Sequence, residues 1–545
     1  MSAAPTTEGP ARTAESLARS AGVVGVAATS SRLLGVVRDL TLAFFFGAGR
    51  DMDAFNVAFR IPNLVRDLFA EGAMTSAFVP TFTRQLALHG REAALRLGNH
   101  VVNGLLLVTG IVVFAGVLCA RPLVVLLAGD YAEIPGKLEL TVGLTRVLFP
   151  FLTLVAVAAA CMGMLNSLGK FFVPSLSPAA FNVAVIFAAV ALVPQAPAVG
   201  VEPIYAIAAG ALLGGLGQIL IQWPVLAREG FRYRPVFDPK DDALRRVLAL
   251  MVPATLGLAA VQVNLLVATV LATGDEPGAV SWLNYAFRIL YLPIGLLGVS
   301  IATAALPGIS REAARSDLGA LRAKVAHALR LTVVLNVPAA AGLAVLADPI
   351  VRLLFERGRF GPMDTASTAA ALRFYAPGLF GFSVVKLAAP SFYALGESRK
   401  PVAASVAAVA LNVPLNIALA SCMGFRGLAL GTGLAALFNS GLLLAFLRRK
   451  IGGLGGARTA STALKTAAAS AIMAAAAWAA ERGASSLLPG RSSLLEAVRL
   501  SAAVLAGVAA FAAAARALGI EEWREAAAQI SGKFRRAPAS TRPRT

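Results

Sequence analysis

Fourteen stretches of about twenty mainly apolar residues follow one another along the 545-residue chain, and this succession constrains the fold more than any other feature. A helix needs about 20 residues to cross the hydrocarbon core of a bilayer. In lipid every backbone N–H and C=O must be paired within the chain, which leaves helices or closed barrels. Hydrophobic residues make up 57% of the chain and charged residues 14%, unlike soluble domains. The sequence therefore predicts an all-α polytopic membrane protein with fourteen transmembrane helices.

The predicted spans are numbered in chain order. They occupy residues 22–46, 54–84, 99–121, 139–167, 173–194, 203–227, 244–272, 279–306, 322–346, 367–395, 401–421, 425–447, 462–480 and 493–517. The segment before them, residues 1–20, is polar and basic, and no short apolar core with a small-residue cleavage site follows it. We therefore expect no cleaved signal peptide.

Lysine and arginine collect in every second loop. Clusters of these cations lie in residues 84–98, 228–246, 307–324 and 448–461 and in the tail after 517, whereas the alternate loops are short and poor in cations. Residues 348–364 are the exception, with mixed charges. Cytoplasmic loops are enriched in these cations, so both termini are predicted to be cytoplasmic. The net charge of +20 is then mostly a topology signal, and nucleic acid is not an expected partner.

The two halves of the chain share an internal repeat. The hexapeptide NVAFRI at 56–61 recurs as NYAFRI at 284–289, and LGK with Pro174 recurs as LGE with Pro401, at offsets of 228 and 227. The repeat spans six helices, an even number, so the halves should share one topology and be related by a pseudo-two-fold axis along the membrane normal. Spans 13 and 14 lie outside the repeat. Such a duplication is typical of alternating-access carriers.

This repeat divides the chain into five predicted parts. They are a cytoplasmic N-terminal segment (1–20), a first six-helix lobe (21–228, spans 1–6), a second six-helix lobe (229–450, spans 7–12), two extra C-terminal helices (451–517) and a basic cytoplasmic tail (518–545).

Charged residues inside the spans indicate function, because each costs about 2.5–3.5 kcal/mol at the bilayer centre on insertion scales. Span 1 contains Arg32, Arg38 and Asp39. Arg32 and Arg38 point roughly 120° apart on an ideal helix. Both reach one cavity only if the helix bends, for which Gly35 offers a place. Arg38 and Asp39 either line that cavity or neutralise each other, whereas Arg32 has no carboxylate nearby in sequence.

Span 2 carries a charged stripe on one helical face, formed by Asp53, Arg60, Asp67 and Glu71. Arg66 lies beside it. Only the arginine at the position of Arg60 survives in the second half, as Arg288. This asymmetry predicts a substrate site weighted toward spans 1 and 2, with the acidic residues as cavity or gating groups.

Four arginines are the predicted substrate-binding residues: Arg32, Arg38, Arg66 and Arg288. Guanidinium groups bind phosphate oxygens bidentately, and such pairs are stronger in a water-poor cavity. The predicted ligand is therefore an anion, with phosphate or pyrophosphate as the natural candidate. Lys386 in span 10 either adds to this charge or extends to the membrane interface.

The N-terminal charged motifs resemble those of one family. SRLLGVVRD at 31–39, FGAG at 46–49, DAF at 53–55 and RIPNLVRDLFAEGA at 60–73 closely resemble the MurJ (MviN) lipid II flippases of the multidrug/oligosaccharidyl-lipid/polysaccharide exporter superfamily. The resemblance continues through FVP at 78–80, WLNYAFR at 282–288 and GV at 298–299, and so covers essentially the whole chain.

The resemblance implies a function, a substrate and a location. Members move undecaprenyl-pyrophosphate-linked disaccharide pentapeptide (lipid II) from the cytoplasmic to the outer leaflet of the bacterial inner membrane for peptidoglycan synthesis. It also implies that the four arginines, Asp53 and Glu71 are functionally sensitive, and that spans 13 and 14 form a groove for the lipid tail. Expected partners are lipid II and membrane lipids, with cell-wall synthesis proteins left open.

The chain departs from some relatives at two places. Tyr291 stands where some relatives carry an acid. At the positions of a sodium site found in some relatives, the chain has Asn412, Asn416 and Thr432 without a carboxylate, so we expect weak sodium binding or none. The three cysteines and three histidines show no metal-binding spacing, and no P-loop motif occurs. We expect no cofactor.

Two other functions fit a polytopic membrane protein less well than a flippase does. A drug or organic-cation antiporter of the same fold would need carboxylates facing the cavity, where arginines dominate here. A membrane enzyme acting on the same lipid would need an acid, a base or a carboxylate-held metal in its surface loops. The loops are short, and residues 348–364 contain no convincing cluster.

Overall fold

The computed structural model describes residues 10–66, 77–490, 492–525 and 527–528. Regular structure throughout these residues is helical, and no strand occurs among them. The prediction of an all-α chain is confirmed. The described chain divides into two compact units, which are treated separately below.

The first unit takes in residues up to Val280 together with Arg357–Phe360, and its described residues form nine α-helices. Its helices are α1 (Pro10–Phe46), α2 (Arg50–Arg66), α3 (Val79–Leu118), α4 (Ala120–Ala128), α5 (Lys137–Leu148), α6 (Phe151–Ser167), α7 (Phe172–Phe187), α8 (Ile204–Arg228) and α9 (Asp242–Thr273). The sequence division placed the segment of α9 in the second lobe, whereas α9 groups here with the first unit. One reason is that Thr273, at its end, donates a hydrogen bond to the carbonyl of Leu127 (3.2 Å).

The second unit runs from Ser281 to Glu356 and from Gly361 onward. Its helices are α10 (Ala279–Pro293, which begins two residues earlier), α11 (Val299–Ala314), α12 (Leu318–Val345), α13 (Ala347–Phe355), α14 (Pro362–Tyr375), α15 (Gly378–Ala394), α16 (Arg399–Met423), α17 (Phe425–Ile451), α18 (Gly456–Leu487) and α19 (Ser493–Ala517). A π-helical segment, Ile294–Gly298, joins α10 to α11.

Ten helical stretches of the described chain are long and apolar enough to cross a membrane, and an eleventh results if α14 and α15, bent by 49°, form one span. The multi-pass prediction is confirmed, whereas the number fourteen stays a prediction. The three remaining predicted spans correspond to α1, α2 and α9. The segment of α1 carries Arg32, Arg38 and Asp39, and α2 is only 17 residues long. The predicted loop after span 2 is itself helical, because α3 starts at Val79 and continues past Gly90, whose φ of 81° breaks the helix locally.

Three helix starts of the first unit recur in the second unit at one offset. α4 starts at residue 120 and α13 at 347, α6 at 151 and α15 at 378, and α7 at 172 and α16 at 399. The offset is 227 in each case. The α5–α6 break lies at Pro150 and the α14–α15 break at Pro377. Proline has no N–H for the preceding turn, so the same local chemistry interrupts both spans.

Close helix packing in each unit depends on small residues. A Cβ atom on Gly381 of α15 would lie 2.6 Å from the carbonyl carbon of Ala436 in α17. In the first unit, a Cβ on Gly98 of α3 would lie 2.5 Å from Sδ of Met164 in α6. Helices in lipid associate through such packing and not through exclusion of water.

The segment after α19 packs against the ends of α12 and α18. Glu522 is buried and ion-paired with Arg330 of α12, and Glu521 pairs with Arg458 of α18. Trp523 stacks edge-on against Phe511, with ring centroids 5.2 Å apart. Burial raises the pKa of Glu522, but hydrogen bonds from the backbone and from Arg330 outweigh it, so the pKa lies below its ordinary value of 4.5. These contacts attach α18 and α19 to the rest of the second unit.

Candidate functional site

Arg38 is fixed by two partners on different helices. Its Nε and Nη2 atoms donate to Oδ1 of Asp39 at 3.0 and 2.8 Å, and its Nη1 atom donates to Oδ1 of Asn182 in α7 at 3.0 Å. The guanidinium also lies 5.6 Å from the ring centroid of Phe181. Arg38 is therefore held half-buried in one orientation, with much of its charge balanced by Asp39.

Asn182 connects α1 to α7. Its amide accepts from Arg38 and donates to the carbonyl oxygen of Ser31 (3.1 Å). A Cβ on Gly35 would lie 3.7 Å from Nδ2 of Asn182, which is ordinary contact distance, so the two helices approach closely there. α1 is continuous through Gly35. Sequence reasoning missed Asn182, although an amide in an apolar span is a signal for interhelical hydrogen bonding.

The other predicted substrate-binding arginines occupy different environments. Arg32 of α1 is exposed, and Arg66 at the end of α2 is half-buried. Arg288 of α10 is exposed and lies in the second unit. The convergence of the four arginines on one cavity stays a prediction. Lys386 on α15 is exposed.

Asp53 is the centre of a buried ion pair in the first unit. Its Oδ2 atom lies 2.9 Å from Nζ of Lys137 at the start of α5 and accepts the backbone N–H of Gly278 at 2.8 Å. The side chains of Lys137 and Asp53 are 1% and 2% exposed. Nζ of Lys137 also lies 3.9 Å from the ring centroid of Tyr131. The carboxylate thus connects α2, α5 and the loop after α9.

Lys137 was not among the predicted site residues. It lies two residues before predicted span 4, where a lysine usually faces water, and its partner is 84 positions away. The sequence signal is the preceding Gly136, whose φ of 71° turns the chain so that α5 starts with Lys137 directed inward. The predicted cavity or gating role of Asp53 stays a prediction, and the structure gives this carboxylate a buried cationic partner in Lys137.

The remaining charged residues of the predicted stripe are only partly described. Arg60 is half-buried on α2. Asp67 and Glu71 lie outside the described residues, so their cavity or gating role is not addressed.

Two asparagines of the candidate cation site are buried on α16. Asn412 and Asn416 are 1% and 0% exposed, and a Cβ on Gly431 of α17 would lie 2.1 Å from Oδ1 of Asn416. Thr432, the next residue, donates its hydroxyl to the carbonyl of Leu428 (2.9 Å). Neither amide atom of Asn416 has a hydrogen-bond partner within the described part of the chain. No three histidine, cysteine, aspartate or glutamate side chains lie together as metal ligands in that part either.

Known proteins resemble this chain over most of its length. The family description "Lipid II flippase MurJ" matches residues 42–494. The probable lipid II flippase MurJ of Rhizobium meliloti is 37% identical over 440 residues, which cover 79% of this chain and 81% of the relative. The corresponding protein of Vibrio cholerae is 35% identical over 434 residues, covering 78% and 82%.

Solved structures share the fold. A lipid II flippase MurJ in an inward closed conformation superposes with a TM-score of 0.74 at 24% identity, covering 91% of this chain and 99% of that one. An inward-facing MATE family multidrug transporter of the MOP superfamily gives a TM-score of 0.65 at 16% identity, covering 78% and 95%. MurJ proteins are transporters and not enzymes. On the sequence match, the chain belongs to the MurJ family of lipid II flippases.

Proposed function

We propose that this protein is a lipid II flippase that moves undecaprenyl-pyrophosphate-linked peptidoglycan precursor from the cytoplasmic to the outer leaflet of the bacterial inner membrane. The observation that carries the proposal is the family match across residues 42–494. The multi-pass helical fold supports it, and so does the resemblance to transporters of the MOP superfamily. Peptidoglycan synthesis is the process that such a flippase serves.

The proposed mechanism is alternating access around a cationic cavity that binds the pyrophosphate. Arg32, Arg38, Arg66 and Arg288 are the proposed phosphate ligands. The exposure of Arg32 and Arg288 supports their availability. Arg38, held by Asp39 and Asn182, is preorganised for a phosphate oxygen, since less side-chain entropy is lost on binding. In this scheme Asp39, Asp53, Arg60, Asp67, Glu71 and Lys386 are cavity or gating residues.

The proposed architecture has fourteen spans, with two six-helix lobes (21–228 and 229–450) related by a parallel pseudo-two-fold repeat. The constant offset of 227 between helix starts supports the repeat. The termini are proposed to be cytoplasmic, as the loop charges favour. The two extra helices, residues 451–517, would provide the groove for the polyprenyl tail, so that the tail stays in lipid while the headgroup crosses.

Coupling to a cation at Asn412, Asn416 and Thr432 is proposed to be weak or absent. Two amides and a hydroxyl offer a hard cation neutral oxygens only, and such a site normally includes carboxylates. Lipid II and membrane lipids are the proposed partners, and a cell-wall synthesis protein would be a further one.

Depletion in cells tests the function directly. The fraction of lipid II accessible to a probe outside the inner membrane is measured before and after depletion and after complementation with variants. Wild type should restore accessibility, whereas Arg32→Ala and Arg288→Ala should not. Arg399→Ala is the matched control, because Arg399 is an exposed arginine outside the proposed cavity. Unchanged accessibility on depletion would refute the flippase function, and full activity of both cavity variants would refute the cationic cavity.

A further inference from the structure

A pocket in the first unit is lined by several basic side chains, and none of the residues proposed to bind lipid II lines it. Its volume is about 320 Å³, and it lies between α3 and the segment that follows α8. The loop charges predict that this end of α3 is cytoplasmic, close to where span 3 enters the membrane. The polar and charged side chains that line the pocket are those of Glu92, Arg96, Asn99, His100, Arg232 and Arg234.

Amide side chains of α3 hold one wall of the pocket in place. Asn99 donates to the carbonyl of Arg232 (3.1 Å) and accepts from the backbone N–H of Arg234 (2.9 Å). Asn103 donates to the carbonyls of Arg234 and Val236 at 2.7 and 3.0 Å. The segment after α8 is therefore held through hydrogen bonds between its backbone and the amide side chains of α3. Because only backbone groups of the segment are used in these bonds, its side chains can contact a ligand.

The fixed segment presents its arginines on one side. Every second residue of the segment lines the pocket, namely Arg232, Arg234 and Val236. This is expected of an extended chain, because its side chains alternate between two faces. Both arginines are exposed, and neither guanidinium has a carboxylate partner among the described residues. Two nearby cations differ from these arginines, because Arg91 and Lys170 both form ion pairs with Glu229.

His100 forms part of the floor of the pocket. It is 4% exposed, and its Nδ1 atom accepts the backbone N–H of Asp238 at 3.3 Å. A neutral histidine that accepts at Nδ1 carries its hydrogen on Nε2. No hydrogen-bond acceptor for Nε2 occurs in the described ranges. His100 and two arginines thus line the same small volume. Nη2 of Arg96 lies 3.8 Å from Oε1 of Glu92, which offsets part of the positive charge.

We propose that this pocket is a phosphate-binding site, distinct from the substrate cavity, with Arg232 and Arg234 as the charged donors and His100 Nε2 as the neutral one. Guanidinium forks and an imidazole N–H match the oxygens of a phosphate group in number and charge. The volume is sufficient for a phosphate or a lipid headgroup and too small for a disaccharide pentapeptide. The phosphate comes either from an anionic phospholipid of the inner leaflet or from a soluble phosphate.

The test uses purified full-length protein and two probes. Inorganic phosphate binding is measured by calorimetry in detergent, and retention of phosphatidylglycerol against phosphatidylcholine is measured by native mass spectrometry. The double variant R232Q/R234Q should weaken binding of the probe that occupies the site by about tenfold or more, since it removes two donors of charge-assisted hydrogen bonds. His100→Asn should weaken it less, because asparagine keeps an acceptor for the Asp238 N–H but lacks Nε2–H.

Arg246→Gln is the matched control, because Arg246 is an exposed arginine in the first turns of α9, close in sequence to the pocket segment, and does not line the pocket. Its binding should equal that of wild type. Loss of phosphatidylglycerol retention alone in R232Q/R234Q identifies a lipid headgroup, and loss of phosphate binding identifies a soluble ligand as well. Unchanged binding of both probes in R232Q/R234Q, or an equal loss in R246Q, overturns the proposal. Lipid II accessibility in cells is recorded separately, so failure here leaves the flippase proposal unaffected.

Discussion

The buried pair of Asp53 and Lys137 allows a quantitative test of what holds the first unit together. Asp53→Asn removes the negative charge but keeps an oxygen that can accept the Gly278 N–H. Lys137 then remains as an uncompensated charge with a side chain only 1% exposed. Breaking a buried ion pair by removing one partner costs about 3–5 kcal/mol. The contact of Nζ with the Tyr131 ring, 3.9 Å away, is present in wild type and variant alike, so it does not change the difference between them. We therefore expect a loss of about 3–5 kcal/mol.

The double variant D53N/K137M separates the charge from the packing. It contains no charge in the site, and methionine fills most of the volume of the lysine stem. Replacing both charges by groups of similar shape is often close to neutral, so the double variant should be more stable than D53N alone. The coupling free energy between the two positions should then be about 2 kcal/mol or more, and the two single effects should not add.

The assay is reversible unfolding of the purified protein in mixed micelles, followed by circular dichroism as the fraction of denaturing detergent rises. Glu139→Gln is the control, because Glu139 pairs with Arg121 at 2.8 Å and both side chains are about 60% exposed (61% and 58%). An exposed pair contributes at most about 1 kcal/mol. Additive single effects, or an E139Q loss as large as that of D53N, would refute the reasoning.

Three further outcomes follow from the packing and the ion pairs. Gly381→Ala should lower stability by about 1–3 kcal/mol because its Cβ meets backbone atoms at 2.6 Å, whereas Gly441→Ala, with nothing within 4 Å, should change the thermal midpoint little. Asn182→Ala should cost about 1–3 kcal/mol, because Arg38 loses its interhelical acceptor, and a matching loss in an Arg38→Ala background would contradict this. The pKa of Glu522 is lowered on folding, so its ionised carboxylate stabilises the folded protein above pH 4.5. This stabilisation is lost as the pH falls through the lowered pKa of the folded state. The protection of residues 518–525 against hydrogen exchange, taken as the intrinsic rate divided by the observed rate at the same pH, should therefore fall only under acidic conditions, and in E522Q this protection should not change over that pH range.

Local patterns predicted the helices well, since lipid leaves the backbone few alternatives. The bounds of α8, α16 and α19 lie close to the predicted spans, and the repeat found at 56–61 and 284–289 has its counterpart in the offset of the helix starts. The prediction was least accurate for α2, because the pattern of charged and apolar residues in this helix differs little from that of a surface helix.

The partners of the charged residues could not be predicted, because they lie far away in sequence. Arg38 and Asn182 are 144 positions apart, and Lys137 and Asp53 are 84 apart. The position of Asp53 within a predicted span indicated that its charge raises the free energy of membrane insertion. The sequence could not indicate which cation pairs with it. The attachment of residues 232–236 to Asn99 and Asn103 was also unpredictable, since amides at a span boundary have several possible partners.

The pairing of Arg330 with Glu522 has a consequence for biosynthesis. The two residues are 192 positions apart, and ribosomes add about 5–20 residues per second, so about 10–40 s pass between the synthesis of the arginine and that of its counter-ion. During this interval Arg330 belongs to a helix already delivered to the membrane, while α18 and α19 have still to be inserted. The second unit is therefore completed only when the last residues leave the ribosome, and a chain that ends before Glu522 would leave a buried guanidinium without its carboxylate for quality-control proteases to detect.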